Sequence, residues 1–359
     1  MKYNDEIADE ENEVHHMLFK NLTRGARVLE FGAASGRITR WMRDEYECSV
    51  SIVEFEREAY DKAIQYAADG WCGDIETYEW EGQWQGQQFD FITFTDVLEH
   101  LHNPHEVLQH TCKFLKNDGR VLISVPNVGH NDIFVKLYNN KFEYTNIGLL
   151  DNTHLHLFSK ETLKDLADGT GYAIRSVEYK TVKTGSTEQC INGELQMTAA
   201  MKRLLLDRAN GEVYQFVVVL EKENNRLEQY WQEDIYQDLE GWIYLDYGNG
   251  YNQENARQIL GKRMSKGVYT FDIDIELDKS VQRLRIDPIE DSVCRVLRVE
   301  SNLGEPRILY MHDEDYIATI DPQLEWMIED NNNAKISLTV DISDEQVARN
   351  IDSLWVDKC

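Results

Sequence analysis

The sequence is short of basic charge, of proline and of any long apolar run. Its 359 residues hold 37 Lys and Arg against 65 Asp and Glu, a formal net charge of -28. Binding a phosphate backbone or an anionic membrane surface needs basic side chains that replace counterions, so nucleic acid is a poor partner for this chain. No apolar stretch approaches the roughly twenty residues that cross a bilayer, so no membrane span is expected. The opening residues are polar and acidic where a signal peptide is basic and then apolar, which places the protein in the cytoplasm. Six cysteines are scattered without a C-x-x-C pair, which argues against a zinc knuckle and a disulfide framework. Five prolines amid 42% hydrophobic and 11% aromatic residues do not describe a disordered chain.

At this length two domains are the natural expectation. Val14, Met17, Leu18 and Phe19 have the spacing of a short helix leading into the first domain. From Arg27, short apolar runs alternate with helical stretches. Val28–Phe31, Val50–Val53, Phe89–Phe94 and Arg120–Val125 read as strands, and Ile38–Tyr46, Tyr60–Ala68 and Pro104–Leu115 as helices. Such alternation implies parallel strands joined by right-handed crossovers, hence a doubly wound α/β sheet whose ligands bind beyond the carboxyl ends of the strands. Residues 172–182 and 213–220 are β-rich, are separated by a helical stretch near Gln196–Arg208, and are candidates for the last two strands. Glu221–Leu239 places Leu227, Trp231, Ile235 and Leu239 on one narrow stripe, which predicts a linker helix or short coiled coil. Beyond Gly241, residues 268–277, 281–286, 294–299 and 335–342 alternate with period two, which predicts an antiparallel β-sandwich. The expected domains are 1–222, a helical linker over 223–240, and the sandwich over 241–359.

The sharpest local signal is Glu30-Phe31-Gly32-Ala33-Ala34-Ser35-Gly36, where a strand should turn into a helix. Small residues there let the backbone approach a ligand, and the helix beyond offers unpaired N–H groups. Glu54, beside Phe55 at the end of the second strand, can accept from both ribose hydroxyls. Gly73-Asp74-Ile75 ends a third strand, where a carboxylate can accept from an adenine amino group, and the strand over Phe89–Phe94 runs into polar Thr95 and Asp96. The G-x-G-x-x-G spacing that seats a pyrophosphate is missing, which disfavours a dinucleotide.

With these motifs in order, residues 25–222 resemble a class I S-adenosylmethionine (SAM) dependent methyltransferase, in the broad subgroup of ubiquinone and small-molecule O-methyltransferases. The resemblance implies a Rossmann-like sheet and SAM as cofactor. It carries cofactor contacts onto Glu30, Gly32, Ala34 and Gly36 of the loop, Glu54 with Phe55, Asp74 with Ile75, and Thr95 with Asp96. Leu115–Arg120 resembles the turn before strand five. One departure is Ala34, which stands where the loop's middle glycine is usual.

Transfer from a sulfonium mainly requires an acceptor held in line, and a hydroxyl acceptor gains from a base titrating near neutrality. His100, His102, His105 and His110 follow strand four, and His154 and His156 lie in Asp151–Ser159, a segment that resembles the Asp-x-x-His-x-x-x-Phe-(Ser/Thr) stretch after strand five. His154 and His100 rank first as base or acceptor-orienting residues. Two histidines with Glu99 and Asp151 could instead form a metal site, as in catechol-type methyltransferases, but no H-x-x-x-H spacing supports one and no metal ligand is assigned. Gly129–Leu149, with its aromatic and asparagine side chains, reads either as an acceptor lid or as a packed connector.

The C-terminal module, with Leu284–Pro288 resembling a Leu-Arg-(Phe/Ile)-Asp-Pro stretch, is similar to appendages in bacterial surface-glycan assembly. That resemblance implies methyl transfer to a sugar hydroxyl of a glycan or its precursor. A small metabolite accepting on oxygen or nitrogen and a non-catalytic SAM-binding scaffold are the alternatives. Trp242, Tyr244, Tyr247 and Tyr251 suit either sugar stacking or a core, and the linker or sandwich could support a homodimer or a partner enzyme.

Overall fold

The computed structural model describes residues 14–190, 197–223, 229–289, 294–312, 317–328 and 333–342. It divides into two compact units, one of residues 1–195 and 212–234, the other of residues 196–211 and 235–359.

The first unit opens with α1 (Val14–Phe19), which buries Val14, Leu18 and Phe19. Then come β1 (Arg27–Phe31), α2 (Arg37–Tyr46), β2 (Ser49–Glu54), α3 (Arg57–Ala63), β3 (Asp69–Cys72), β4 (Phe89–Thr95), α4 (Pro104–Thr111) and β5 (Leu115–Pro126). After α5 (Asn131–Tyr138) and α6 (Lys160–Leu166), β6 (Tyr172–Thr181) and β7 (Val213–Lys222) complete the main sheet. Its order is β3-β2-β1-β4-β5-β7-β6, parallel through β5 and antiparallel at β7 and β6. The order reverses between β1 and β4, which is where an open α/β sheet leaves a ligand crevice. Central strands are covered on both faces, hence their continuous apolar runs. Phe31 of β1 stacks on Phe94 of β4 with centroids 4.8 Å apart and meets Trp80 edge-on at 5.0 Å.

The expected turn at Leu115–Arg120 is absorbed into β5 as an irregularity: Leu115 pairs with Phe89 and Arg120 with Phe91, so the intervening residues loop out of register. The expected linker helix does not form in its described part. β7 runs to Lys222, residues 224–228 lie outside the described residues, and Tyr230–Trp231 forms a short strand, β8, beside Ser176 and Val177 of β6. Gln232 holds the edge: its backbone N–H donates to the Val177 carbonyl at 2.9 Å, and its side chain accepts from the Tyr179 N–H at 2.8 Å. An open sheet edge supplied hydrogen bonds that the narrow apolar stripe could not outweigh.

The helix near Gln196–Arg208 forms as α7 (Ala199–Leu206), but in the second unit, so the boundary expected at 222 differs from the division found. Leu206 joins the second unit's core with Tyr269, Phe271, Leu284, Trp326 and Leu338. Around that core run β9 (Leu239–Asp246), β10 (Ala256–Ser265), β11 (Val268–Glu276), β12 (Arg283–Asp287), β13 (Arg295–Ser301), β14 (Arg307–His312), β15 (Ile317–Met327) and β16 (Asn333–Asp341). They form one antiparallel sheet in the order β12-β9-β10-β11-β16-β13-β15-β14, and a β12–β15 pairing curls it back on itself. The sandwich-like core is thus made by one sheet meeting itself.

Candidate cofactor and acceptor site

The turn after β1 is shaped first by its own backbone. Gly32 has φ +74°, and a Cβ there would come 2.5 Å from Val97 Cγ2. Gly36, at φ +82°, would bring a Cβ to 2.6 Å from the Ala63 Cα. Both positions therefore demand glycine for close packing and for their left-handed backbone. Between them Ala34 is left-handed at φ 47°, a conformation its usual glycine would take without strain. Its N–H donates to Glu54 Oε2 at 2.7 Å, while the Glu56 N–H donates to Oε1 at 2.9 Å. Glu54 thus ties the loop to the end of β2. Glu30 is buried and accepts from the Thr39 hydroxyl at 2.6 Å. Burial pushes its carboxyl up to about 7, with Thr39 opposing and the Glu54 charge adding to the rise.

The remaining expected cofactor residues lie along the same carboxyl edge. Glu54 pairs in register with Cys72, two residues before Asp74. Asp74 is exposed and accepts from the Glu76 N–H at 2.9 Å; Ile75 beside it is half-buried, and Phe55 is 70% exposed. The Thr95 hydroxyl is buried without a hydrogen-bond partner. Asp96 takes a left-handed φ of 54°, and its Oδ1 accepts from Ser124 Oγ and Gln215 Nε2, each at 2.8 Å. Its carboxyl reaches solvent but is hemmed in by protein, which raises its pKa, opposed by Ser124, by the charges of His100 and Arg37, and by Gln215. Glu30, Glu54, Asp74 and Asp96 make this edge acidic and line it with carboxylate oxygens that can accept hydrogen bonds. This donor set fits SAM and opposes a pyrophosphate.

His100 and His154 are brought together, their rings edge-on with centroids 4.8 Å apart. His154 Nδ1 lies 3.3 Å from the Leu149 carbonyl, and His100 Nδ1 lies 3.2 Å from the Thr153 carbonyl. A carbonyl only accepts, so each Nδ1 donates its proton there, which leaves Nε2 as the ring nitrogen available to act as a base. Thr153 donates to Asp151 Oδ1 at 2.7 Å and lies 3.1 Å from His100 Nδ1, so Asp151 steers His100 through it. Glu99 is 1% exposed, its Oε1 lies 4.0 Å from His154 Nε2, and its Oε2 has no hydrogen-bond partner. Burial, then the charges of Asp96 and Asp151, raise its carboxyl well above the usual range. Glu99, His100 and His154 each offer a ligand atom within 4.8 Å of the others.

The other histidines answer structural needs. His102 pairs with Glu76 at 3.0 Å, His110 pairs with Glu81 at 2.6 Å and stacks on Tyr78, His105 contacts the Asp168 carbonyl, and His156 the His102 carbonyl at 3.2 Å. In the Gly129–Leu149 segment, α5 is followed by Phe142 and Tyr144, packed edge-on at 5.2 Å and 46% and 58% exposed. Sequence reasoning missed Ser124, Gln215, Thr39 and Thr153. Gln215 carried no local signal, because only antiparallel pairing of β5 with β7 brings it to Asp96. In the second unit, Tyr244 is buried with the Arg285 guanidinium 4.4 Å over its ring, and Tyr251 lies 5.0 Å from that of Arg283. Arginines, not open space, face these two rings.

Residues 5–177 match the model of a family described as a methyltransferase domain. A 41-residue stretch is 46% identical to a ubiquinone biosynthesis O-methyltransferase of Glaesserella parasuis, covering 11% of this chain and 17% of that protein. Among solved structures, the chain is similar to a SAM-dependent methyltransferase from Archaeoglobus fulgidus (17% identity, TM-score 0.40, covering 57% of this chain and 89% of the other). It is also similar to a TehB-like SAM-dependent methyltransferase from Corynebacterium glutamicum (14%, TM-score 0.37, 58% and 87%). The matched residues fall within the first unit, whose sheet order is β3-β2-β1-β4-β5-β7-β6, and the cofactor that this similarity indicates is SAM. No helix among the described residues is long and apolar enough to cross a membrane.

Proposed function

We propose that this chain transfers a methyl group from SAM to a hydroxyl oxygen, and that the acceptor is a sugar of a glycan or its precursor. The carrying observation is the meeting of His100, His154 and Glu99 just beyond β4, next to Asp96 on the cofactor edge. Bound SAM supplies a methyl group already activated on sulfonium. Glu54 and Asp74 hold the nucleoside, the turn from Gly32 to Gly36 takes the amino-acid end, and Thr95 and Asp96 border the reacting centre. His154, fixed by the Leu149 carbonyl, directs Nε2 at the acceptor hydroxyl and takes its proton; His100, steered by Thr153 and Asp151, orients the same group. Exposed Phe142 and Tyr144 offer faces on which a flat or ring-shaped acceptor stacks.

A small metabolite is the second reading, favoured by the short match to a ubiquinone biosynthesis O-methyltransferase. Calorimetry with SAM, followed by a labelled-methyl screen against sugars, nucleotide sugars and phenolic hydroxyls, separates the two. His154→Ala is expected to lower turnover by about a hundredfold or more while SAM affinity stays within about twofold. Cofactor binding with no methylation of any acceptor would instead support a SAM-binding scaffold, and absence of SAM binding would overturn the whole reading.

A further inference from the structure

The segment after β6 folds back on the loop between α5 and α6, the loop that carries His154. Its anchor is Asp132 of α5, a fully buried carboxylate that accepts from the Gly185 N–H at 2.7 Å, the Thr187 N–H at 3.2 Å and the Thr187 hydroxyl at 2.6 Å. Three donors on one buried carboxylate hold the segment firmly. Glu188, the next residue, is thereby placed with both oxygens engaged: Oε1 accepts from the Leu149 N–H at 2.7 Å, and Oε2 from the Tyr214 hydroxyl of β7 at 2.9 Å. The loop's backbone leans on the same group. Gly148, at φ +88°, passes so close that a Cβ there would come 2.1 Å from Glu188 Cδ. Leu149 is buried, and beyond it the Leu150 carbonyl accepts from the Thr145 N–H at 2.8 Å, so the chain is pinned on both sides of the Leu149 carbonyl.

That carbonyl is the one that faces His154 Nδ1. The hydrogen bond made by one ring nitrogen sets which nitrogen carries the proton and where the other points. We propose that Glu188 is a positioning residue: by tying Leu149 to β7 it fixes the carbonyl that orients His154, and so the direction of His154 Nε2. The carboxylate suits this place because it only accepts, and it meets two donors that approach from different elements. Glu188 itself touches neither the cofactor edge nor His154; it acts through Leu149. The consequence for catalysis rests on the methyl-transfer reading, since a base must be aligned with its acceptor hydroxyl. The effect on the imidazole does not depend on it.

The test reads the ring directly. The full chain is labelled with ¹⁵N-histidine, and long-range ¹H–¹⁵N correlations are recorded at about pH 8, above the ordinary imidazole range, with the His154 signals identified by their loss in His154→Ala. The parent should show the proton on Nδ1. In Glu188→Ala the ratio of Nδ1–H to Nε2–H forms should fall by about fivefold, the worth of one ordinary hydrogen bond. Glu188→Gln should restore the parent pattern, because its carbonyl oxygen still accepts from Leu149 and its amide can donate to the Tyr214 hydroxyl. A clasp that only stabilised the loop would lower the unfolding temperature and leave the ring's tautomer alone, so an unchanged ratio in folded Glu188→Ala would overturn the proposal. Cooperative thermal unfolding verifies the fold. Should Glu188→Ala fail to fold, Tyr214→Phe decides, since it removes one hydroxyl: a fall of about twofold supports the positioning role and no change overturns it. Loss of SAM binding by the unmodified chain would strike the methyltransferase reading and leave the orientation of His154 standing.

Discussion

Buried carboxylates occur in both units, and those along the cofactor edge of the first are treated differently from those of the second. In the second unit Asp246 accepts from Arg283 at 2.5 Å and from the N–H groups of Gly248 and Gly250, Glu325 meets Arg283 at 3.3 Å, and Asp287 meets Arg285 at 2.8 Å. In the first unit Glu221 is likewise answered by Arg175 at 3.0 Å, but along the cofactor edge Glu30 has a threonine, Glu54 two backbone N–H groups, and Glu99 an oxygen with no hydrogen bond. Charge that is answered by a fixed arginine belongs to the scaffold. Charge that is buried and left short of partners is waiting for a proton or a ligand.

Asp246→Ala tests the contrast most severely. It leaves Arg283 short of its nearest carboxylate and is expected to destabilise the second unit by about 3 kcal/mol in denaturant unfolding, with SAM affinity unchanged. A lowered SAM affinity would mean that the two units do not divide the work in this way. The matched change in the first unit, Glu54→Ala, removes the loop's tie and the ribose acceptor together. SAM affinity by calorimetry should fall by about 2 kcal/mol, roughly thirtyfold, with little change in the second unit's unfolding.

Glu30→Gln sharpens the comparison through pH. Glu30 ionises near 4.5 in an unfolded chain and near 7 in the fold, so between these values the folded protein holds a proton that the unfolded chain has lost. Its contribution to stability is fully present below 4.5, falls as pH rises through 7, and is flat beyond. The glutamine variant lacks that slope and should be more stable than the parent at pH 8, by on the order of 1–3 kcal/mol, in thermal unfolding followed from pH 5 to pH 8. The smallest effect belongs to Ala34→Gly, which relieves a left-handed alanine and should add up to about 1 kcal/mol of stability; a loss would show that the methyl group makes a contact worth more than the strain.

Much of this molecule was legible along the chain wherever the deciding forces are local. Alternating apolar runs marked β1, β2, β4 and β5, and period-two segments marked β11, β12, β13 and β16, because burial on two faces or one imprints directly on residue order. The glycines of the first turn are equally local. Trp231 misled because a helical stripe and an edge strand are alike in so short a stretch, and the free edge of β6 decided between them.

The sequence by itself determined the doubly wound sheet, the order of its cofactor motifs and the all-β texture of the second half, since each follows from periodicity, small residues and charge within short windows. Only the tertiary structure decided that α7 serves the second core, that β12 and β15 join one sheet to itself, and that Gln215 reaches Asp96. It alone set His154 against Glu99 and His100. These are contacts between segments tens of residues apart, and their free energy depends on which surfaces the fold brings face to face, a quantity that no local pattern of residues records.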